Sequence, residues 1–513
     1  MLKSERLPFK PRARMLLLLG DQLIRDPAIA VFELVKNAYD ADSPSATVTM
    51  DKIDDATHGR IVVEDSGTGM DFATVTGVWL EPGTDYRAVQ RAEGVRTPKY
   101  GRLPLGEKGV GRFAAHKLGK KISLITRKKN CPEVIVNIDW SAFAVHKYLS
   151  EVPVTVTERV PQYFEGKSTG TRIEVTSLWT SWNRALTRQL ARSVSAICSP
   201  FREEGEFEAK LVLNQHESWL KGLLASENVL EYALFQAHCE LKGNELTYKY
   251  SFVPYPGMQD EVQARKKSAL LTITSPANTP IDLDEAHVGQ VDLDLYIYDR
   301  DPKVLSLGVT DKKGLKEFLD ESGGIRVYRD GIRVFDYGER GNDWLNLGGR
   351  RVNIPTQRIS NNLVVGAVSL DLEESLDLKH NLGLIEKTNR EGFVENDSFQ
   401  VFRDAVAFAL TQIEHERNID KTRIRIAYSS KRLREPVLAD LSELREKVEK
   451  RHLEQELGPY IDRIETDFVA IRDKFLVSAS AGLSLSVVIH EVEKGVQELA
   501  RAVEYEKTTP HIT

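Results

Sequence analysis

The sequence has few cysteines and no long apolar run. Only Cys131, Cys198 and Cys239 occur among 513 residues, and they form no C-x-x-C pair. This excludes a disulfide-stapled scaffold and a zinc knuckle, and it fits a reducing cytoplasm. No stretch approaches the roughly 20 apolar residues that span a bilayer. The run MLLLLG at 15–20 is also too short for the apolar core of a signal peptide. We therefore expect a cytoplasmic protein with no membrane partner.

The sequence also lacks a strong excess of either charge. Lys and Arg total 70 and Asp and Glu total 76, so the formal net charge is −6. A protein that coats nucleic acid would be strongly basic, and the composition therefore does not support that class. Apolar residues make up 41 % and charged residues 28 %, which is ordinary for a globular protein. The length is sufficient for two to four domains.

Composition and periodicity divide the chain into three regions, 1–185, 186–408 and 409–513. In the first region, apolar residues along 26–42 recur at helical spacing, and several short runs have the pattern of strands. These runs are 46–50, 60–64, 121–126 and 171–176. Because helices and strands alternate, the fold class that we predict is α/β, with layers of helix and sheet.

The second region again mixes strand-like runs with helices and predicts a second α/β domain. It includes the segment 254–287, which is rich in Pro, Gly, Asp and Lys and is expected to be an exposed loop insertion.

In the third region, apolar residues recur at three- and four-residue steps from Leu438 to Phe475, which predicts one long amphipathic helix with coiled-coil character. The sequence SASAG at 478–482 predicts a break. A second helix over 485–503 would complete a helical hairpin.

Three stretches of the first region carry residues suited to binding a nucleotide. In ELVKNAYDAD, the side chains of Glu33, Asn37 and Asp40 fall within about 60° of one another around a helix. A carboxylate and a carboxamide that project together suit a cation and an activated water. Taken alone, the pattern is more typical of a solvated polar face.

The second and third stretches combine glycines with charged residues. In VVEDSGTGM, an apolar strand ends at Asp65 and is followed by Gly67 and Gly69, which would let a flat ligand approach the backbone. In EKGVGRFAAHKLG, residues 107–119, a glycine-rich segment opens a helix and carries a Lys and an Arg, which suits an anion. Each has a simpler interpretation as a turn without ligand.

Together these stretches resemble the GHKL ATPases: gyrase, the large heat-shock chaperones, histidine kinases and MutL. ELVKNAYDAD is similar to the family's N box, EDSGTGM to its adenine box, and GEKGVGRFAAHKLG to its lid and phosphate box. GTRIEV at 170–175 is similar to the last box, and the four occur in the family's order. The resemblance covers roughly the first 185 residues and implies the Bergerat ATP-binding α/β sandwich.

The resemblance implies a role for each matching position, with ATP and Mg²⁺ as ligands. Glu33 would be the general base that activates the hydrolytic water, and Asn37 would ligate Mg²⁺ between the phosphates. Asp65 would accept a hydrogen bond from the adenine amine. The remaining ATP-binding positions would shape the pocket or wrap the phosphates: Asp40, Gly67, Gly69, Met70, Lys108, Gly109, Val110, Gly111, Arg112, Phe113 and Thr171.

The resemblance extends to a transducer domain in the second region. Hydrolysing members of the family insert a Lys from this domain against the γ-phosphate, and EKTNREG at 386–392 is similar to that loop. Lys387 is the first candidate for that role and Arg390 the second. GIRVYRDGIRVFDYG at 324–338 is similar to the transducer hairpin. The basic segment GGRRVNIPTQR at 348–358 fits either polyanion contact or a solvated loop, and we favour the loop.

The C-terminal sequence SLSVVIHEVEKGVQEL resembles the phosphoacceptor helix of histidine kinases. His490 lies beside the apolar seam, as a phosphoacceptor would, but an ordinary exposed histidine would also lie there. The Pro that usually follows about five residues later is missing, since Val496 and its neighbours supply none. His490 is therefore a candidate phosphoacceptor of a second hypothesis.

From these observations the leading hypothesis is a homodimeric ATPase that acts as an ATP-gated conformational switch on an unknown protein partner. Glu33 favours the chaperone, MutL and MORC side of the family, because hydrolysis needs a base. One alternative is a signalling kinase that phosphorylates His490. The other is an ATP-gated clamp on protein or nucleic acid, for which the MORC likeness raises DNA handling and prokaryotic defence.

Overall fold

The computed structural model describes residues 10–478 with short gaps at 24–25, 82, 85, 107–113, 202–205, 225, 354–356, 378–379, 381, 388–391, 429–435, 450 and 452. The chain divides into two compact units between Asp420 and Lys421. Within the described residues, no helix is long and apolar enough to cross a membrane.

The first sheet has seven strands in the order β5-β4-β3-β6-β2-β1-β7. All neighbours are antiparallel except β1 and β7, which are parallel. The strands are β1 (Ser45–Asp51), β2 (Arg60–Asp65), β3 (Gly119–Arg127), β4 (Glu133–Asp139), β5 (Thr155–Arg159), β6 (Gly170–Leu178) and β7 (Glu208–Leu213). Residues alternate between buried and half-buried along β1, as expected for a strand with one face on the core. Because β7 belongs here, the sheet extends past residue 185.

Helices pack against this sheet and place the apolar sides of both layers in one core. The helices of this part of the chain are α1 (Arg14–Leu23), α2 (Pro27–Asp40), α3 (Phe72–Thr74), α4 (Tyr86–Ala92), α5 (Ala114–Leu118), α6 (Ser141–Val145) and α7 (Arg184–Ser195). The core continues into the second sheet through residues such as Ile332 and Leu372. This is the layered α/β architecture that the sequence predicts.

Helix α2 is the central helix of this layer. Asp26 caps it by accepting a hydrogen bond from the Ala28 N–H at 2.7 Å, and Pro27 occupies the first helical position. Among residues 29–40, all of which the structure describes, only Asn37 is not buried. Within this part of α2, the amide side chain of Asn37 is therefore the one that is partly exposed.

The second sheet also has seven strands, in the order β10-β9-β8-β11-β14-β12-β13. They are β8 (Phe235–Lys242), β9 (Glu245–Phe252), β10 (Arg265–Thr272), β11 (Val291–Ile297), β12 (Gly324–Arg329), β13 (Ile332–Val334) and β14 (Val364–Leu370). A two-stranded pair follows, β15 (Leu376–Asp377) and β16 (Leu382–Gly383). The remaining helices are α8 (Ser226–Leu230), α9 (Pro302–Leu305), α10 (Lys312–Ser322), α11 (Leu347–Asn353), α12 (Asp397–Tyr428), α13 (Pro436–Glu449) and α14 (Glu454–Ser478).

The structure confirms one predicted feature of this region and corrects another. Strands β12 and β13 form a hairpin whose two turn residues, Asp330 and Gly331, both have positive φ, as in a type I′ turn. The segment 254–287 is not merely a loop, because it contributes β10, which pairs with β9 along eight residues. Strand β10 lies at the sheet edge and is largely exposed, so its sequence lacks the apolar pattern of a buried strand.

Helix α12 packs against this sheet through apolar residues and buried acids. Glu416 accepts a hydrogen bond from the Tyr248 hydroxyl at 3.1 Å, and Asp420 accepts one from the Tyr250 hydroxyl at 2.9 Å. Arg265 of the edge strand forms ion pairs with both acids, at 2.7 and 2.8 Å. Such paired charges are costly to break from one side, because the partner would stay buried alone.

A third acid of α12 corrects our interpretation of the basic segment 348–358. Arg350 and Arg358 form ion pairs with the buried Glu414 at 2.7 and 2.6 Å, and the Ile359 N–H donates to the same carboxylate at 2.9 Å. The segment is therefore not a solvated loop. These two arginines hold the segment on helix α12.

The C-terminal unit contains a helical hairpin at a different place from the one predicted. The expected single helix over 438–475 is two helices, α13 and α14, which pack on each other. Their seam residues form a core of their own, which includes Val437, Leu441, Leu444, Val448, Ile461 and Phe468. The apolar periodicity of the sequence continues from α13 into α14, and so it gave no sign of the break between them. The second predicted helix, over 485–503, and His490 lie outside the described residues.

Candidate nucleotide-binding site

A cavity of about 410 Å³ lies between α2 and the ends of strands β2 and β6. This volume is within the range of small-molecule sites, roughly 300–1,000 Å³. Six of the residues that the sequence predicts to bind ATP line it: Asn37, Asp40, Asp65, Gly69, Met70 and Thr171. Residues that are about 130 positions apart in the sequence thus share one pocket.

Asp40 ties the cavity wall to the segment that leads into the predicted lid. Its carboxylate accepts hydrogen bonds from the backbone N–H groups of Leu105 at 2.8 Å and Gly106 at 3.1 Å. It also forms an ion pair with Arg87 at 2.8 Å, and its side chain is only 1 % exposed. Asp42 holds the same segment further back, by accepting from the N–H groups of Lys99 and Tyr100. The acids of the N box therefore position the root of the lid.

The predicted lid and phosphate box falls largely outside the described residues. This applies to Lys108, Gly109, Val110, Gly111, Arg112 and Phe113. The short helix α5 follows this segment and packs against α2.

Glu33 lies on α2 one turn before Asn37, on the same side of the helix. Its residue exposure is 1 %, and it is not among the residues that line the described part of the cavity. The structure therefore places Asn37 at the cavity surface and Glu33 beneath it.

The opposite end of the cavity is built by a row of polar side chains across three adjacent strands. Asp65 on β2 is directly opposite Thr171 on β6, and Thr171 is opposite Thr126 on β3. The hydroxyl oxygens of Thr126 and Thr171 are 3.0 Å apart, and Thr126 accepts a hydrogen bond from the Met70 N–H at 2.9 Å. Asp65 and Thr171 line the cavity, so the row offers a carboxylate and one hydroxyl to a ligand there, with Thr126 buried behind them.

The environment of Asp65 changes the titration of its carboxyl group. Burial raises the pKa of Asp65 to about 7, although the backbone N–H groups of Gly67 and Thr171 act to lower it. The Gly67 N–H donates to the carboxylate at 2.8 Å. A hydrogen-bond donor of a ligand would therefore meet a carboxyl group that changes charge near neutral pH.

The two glycines after Asp65 are required by close backbone contacts. A Cβ atom on Gly69 would lie 1.9 Å from the Arg127 carbonyl oxygen, and Gly69 has φ +64°. A Cβ atom on Gly67 would lie 2.3 Å from the carbonyl oxygen of Ala41, the residue that follows α2. Gly67 thus lets the adenine box pack directly against the end of the N box.

Several residues of the site were not predicted from the sequence. Thr126 belongs to the polar row, but its strand pairing is needed to place it there. Trp79, Tyr86, Arg87 and Lys128 also line the cavity. These four residues belong to segments without a recognisable motif. Most of them reach the cavity because segment 72–106 folds over it.

Lys387 lies at the base of the predicted transducer loop. Its ammonium group is 3.5 Å from the Glu395 carboxylate, its side chain is 39 % exposed, and it is not among the residues that line the described cavity. Arg390 is outside the described residues.

The donors present are compatible with Mg²⁺ delivered with a nucleotide. Among the described residues no group of three or more His, Cys, Asp or Glu side chains could hold a metal by itself. Mg²⁺ commonly takes one or two protein ligands and completes its shell with phosphate and water. The carboxamide of Asn37 at the cavity surface meets that requirement.

The fold and the cavity define a nucleotide-binding α/β sandwich. A family model described as "Histidine kinase-, DNA gyrase B-, and HSP90-like ATPase" matches residues 25–171. Residues 25–171 therefore match a GHKL-type ATPase domain, a fold that supports ATP binding.

Comparison with curated proteins found no match. Among solved structures, one titled "Crystal Structure of N terminal domain of a DNA repair protein" aligns over 79 % of this chain and 98 % of its own. The sequence identity is 12 % and the TM-score is 0.42, values too low to bear on function.

Proposed function

We propose that this protein binds ATP with Mg²⁺ and hydrolyses it, and that the bound nucleotide switches its conformation. The observation that carries the proposal is the meeting of the N box and the adenine box in one cavity. Asn37 and Asp40 line one end of it, and Asp65 and Thr171 line the other. The cavity thus has an amide-bearing end suited to phosphates and a carboxylate end suited to the adenine amine.

Each end would contribute a distinct interaction. The Asp65 carboxylate, flanked by the Thr171 hydroxyl, would accept a hydrogen bond from the 6-amino group of adenine, where guanine has a carbonyl oxygen. Asn37 would hold Mg²⁺, which neutralises charge on the phosphates. Glu33 would take a proton from the attacking water, since it lies one turn before Asn37 on the same side of α2.

The connection of Asp40 to Leu105 and Gly106 supports a switch. An acid at the phosphate end holds the root of the lid, and a change in its contacts would reach the lid directly. We further propose that the protein works as a homodimer, that the C-terminal helices contribute to pairing, and that Lys387 approaches the γ-phosphate in the closed state.

The experiment that tests this function combines calorimetry with a phosphate-release assay on wild-type protein and two variants. Asp65→Asn should abolish ATP binding, because the Gly67 N–H would take the single amide oxygen and leave the NH₂ group facing the adenine amine. Glu33→Ala should bind ATP but release no phosphate. If wild-type protein shows no heat of association with millimolar Mg-ATP, the proposal is wrong.

Two further assays on the wild-type protein test the two alternative functions, the histidine kinase and the ATP-gated clamp. Acid-labile label on the protein after incubation with γ-labelled ATP, lost in His490→Ala, would support the kinase. A nucleotide-dependent, salt-sensitive retention of DNA would support the clamp. Arg350 and Arg358 both pair with the buried Glu414, so these two side chains are less available for such a contact.

A further inference from the structure

A cluster of charged side chains connects helix α2 to the predicted transducer loop. Lys36 lies on α2 immediately before Asn37, and its side chain is only 8 % exposed. Its ammonium group donates to the Glu386 carboxylate at 3.3 Å. Arg329 of β12, with 2 % of its side chain exposed, lies 3.7 Å from the other oxygen of the same carboxylate. The buried Lys36 of α2 is thus paired with Glu386, the residue just before Lys387.

Charges from three separate elements act on this one carboxylate. Burial alone would raise the pKa of Glu386, but Lys36 and Arg329, with a smaller contribution from Arg91 of α4, hold it below its ordinary value. Burial lowers the pKa of Arg91 to about 10, and Glu386 partly opposes this shift. Glu386 is therefore ionised at neutral pH and joins α2, α4 and β12 electrostatically.

The loop that carries Glu386 is held closed at its base. Glu386 and Phe393 form an isolated β-bridge, and the Lys387 N–H donates to the Gly392 carbonyl at 2.9 Å. The Phe393 N–H donates to the Tyr337 hydroxyl at 2.7 Å, and the Arg329 guanidinium lies 4.7 Å from the centre of the Phe393 ring. The base is thus a short hairpin, and a shift of Glu386 would move Lys387 with it.

We propose that Lys36 and Glu386 are positioning residues for the ATPase reaction, which hold Lys387, at the described base of the predicted transducer loop, at a fixed place relative to helix α2. This inference rests on the proposed function. Lys36 is adjacent to Asn37 and one turn from Glu33. The ion pair therefore fixes the position of Glu386 relative to the helix that carries Asn37 and Glu33. Small displacements of reacting groups reduce rates strongly, by about a hundredfold for roughly 1 Å.

The test is a double-mutant cycle on the full chain with Lys36→Met, Glu386→Gln and both together. Each single variant should lower kcat by about ten- to a hundredfold and change the ATP dissociation constant by less than about twofold, since neither residue lines the cavity. The double variant should be no worse than the poorer single variant, because both substitutions remove one contact. Lys36→Arg, which keeps the positive charge, should retain most of the wild-type kcat.

The matched control is the ion pair between Arg192 of α7 and Glu321 of α10, at 3.6 Å. It joins the helix layer of the first sheet to a helix of the second sheet, as the Lys36 pair joins α2 to the loop, but it touches neither α2 nor the loop. Arg192→Ala and Glu321→Ala should leave kcat within about twofold, because a pair this exposed contributes little.

A second measurement needs no nucleotide. Hydrogen exchange of the apo protein should speed up in Glu386→Gln at the hairpin base, including the Val394 N–H, which donates to the Ile385 carbonyl at 2.7 Å. Unchanged kcat in both single variants of a hydrolysing protein would overturn the inference, and so would independent, multiplicative losses. If wild-type protein hydrolyses no ATP, the proposed function fails instead, and unchanged exchange would then reject the positioning role separately.

Discussion

The titration of Asp65 makes a quantitative prediction about nucleotide affinity. Burial raises the pKa of its carboxyl group to about 7 in the folded protein. In the ionised form either oxygen can accept a hydrogen bond from the adenine amine, whereas protonation makes one oxygen a donor and the Gly67 N–H occupies Oδ1, so we take the ionised form as the competent one. With that pKa, about a tenth of the molecules are competent at pH 6 and about nine tenths at pH 8. We therefore expect the affinity for the magnesium complex of ATP to rise about tenfold between these pH values.

The assay is isothermal titration calorimetry at pH 6, 7 and 8 in buffers of different ionisation enthalpy. Binding at pH 7 should release about half a proton, because the ligand selects the ionised carboxylate. Asp71→Asn is the matched control, since Lys128 and Thr74 hold the pKa of Asp71 at about 2 and it does not titrate in this range. Equal affinity at pH 6 and 8, with no proton release, would refute our assignment of Asp65 to the adenine amine.

The same shift predicts an effect on stability without ligand. The folded-state pKa of Asp65 is above the unfolded value, so the folded protein binds the extra proton between pH 4 and 7. Its contribution is therefore most favourable at low pH and is lost as the pH rises through about 7. At pH 8, Asp65→Asn should raise the free energy of unfolding, by at most about 4 kcal/mol for three pKa units. At pH 5 the gain should fall to about 1.6 kcal/mol, because only the roughly 1.2 units between the ordinary pKa and pH 5 then count. Denaturant titration at both pH values measures this.

The remaining predictions concern the base, the adenine box and the basic segment. Glu33→Gln should reduce phosphate release by about 10²–10⁴-fold with ATP affinity retained, measured by single-turnover assay beside calorimetry; parallel losses of both would contradict the assignment. Gly69→Ala should destabilise the fold by about 1–3 kcal/mol in thermal melts, since its methyl group would meet the Arg127 carbonyl and φ is positive; an unchanged melting temperature would disprove this. Arg350→Ala should lower the unfolding midpoint, because it removes a partner of the buried Glu414. It should not alter the salt dependence of any DNA retention. An unchanged midpoint with altered salt dependence would restore a nucleic-acid role for this segment.

Local patterns in the sequence predicted α2 and the strands β1, β2, β3 and β6 of the first sheet, but not β4 and β5. The apolar spacing over 26–42 corresponds to α2, and the run at 60–64 corresponds to β2. These predictions succeeded because an amphipathic period reports which side of an element is buried, whatever that side contacts. The same reasoning failed for β10, where an edge position removes the need for an apolar pattern. It failed again between α13 and α14, where the apolar period continues across the break.

The order of the GHKL boxes likewise identified the ATPase domain, because each box is a short contiguous segment whose residue types are required by ATP chemistry. The strand register that aligns Asp65, Thr171 and Thr126 is set by hydrogen bonds between distant segments. Lys36 and Glu386 are 350 positions apart, and their pairing depends on how the two sheets pack. Contacts of that kind leave no periodic trace in a single chain. The residue types in the sequence therefore predicted the class of ligand, a nucleotide. The packing of remote segments determined which side chains line the cavity.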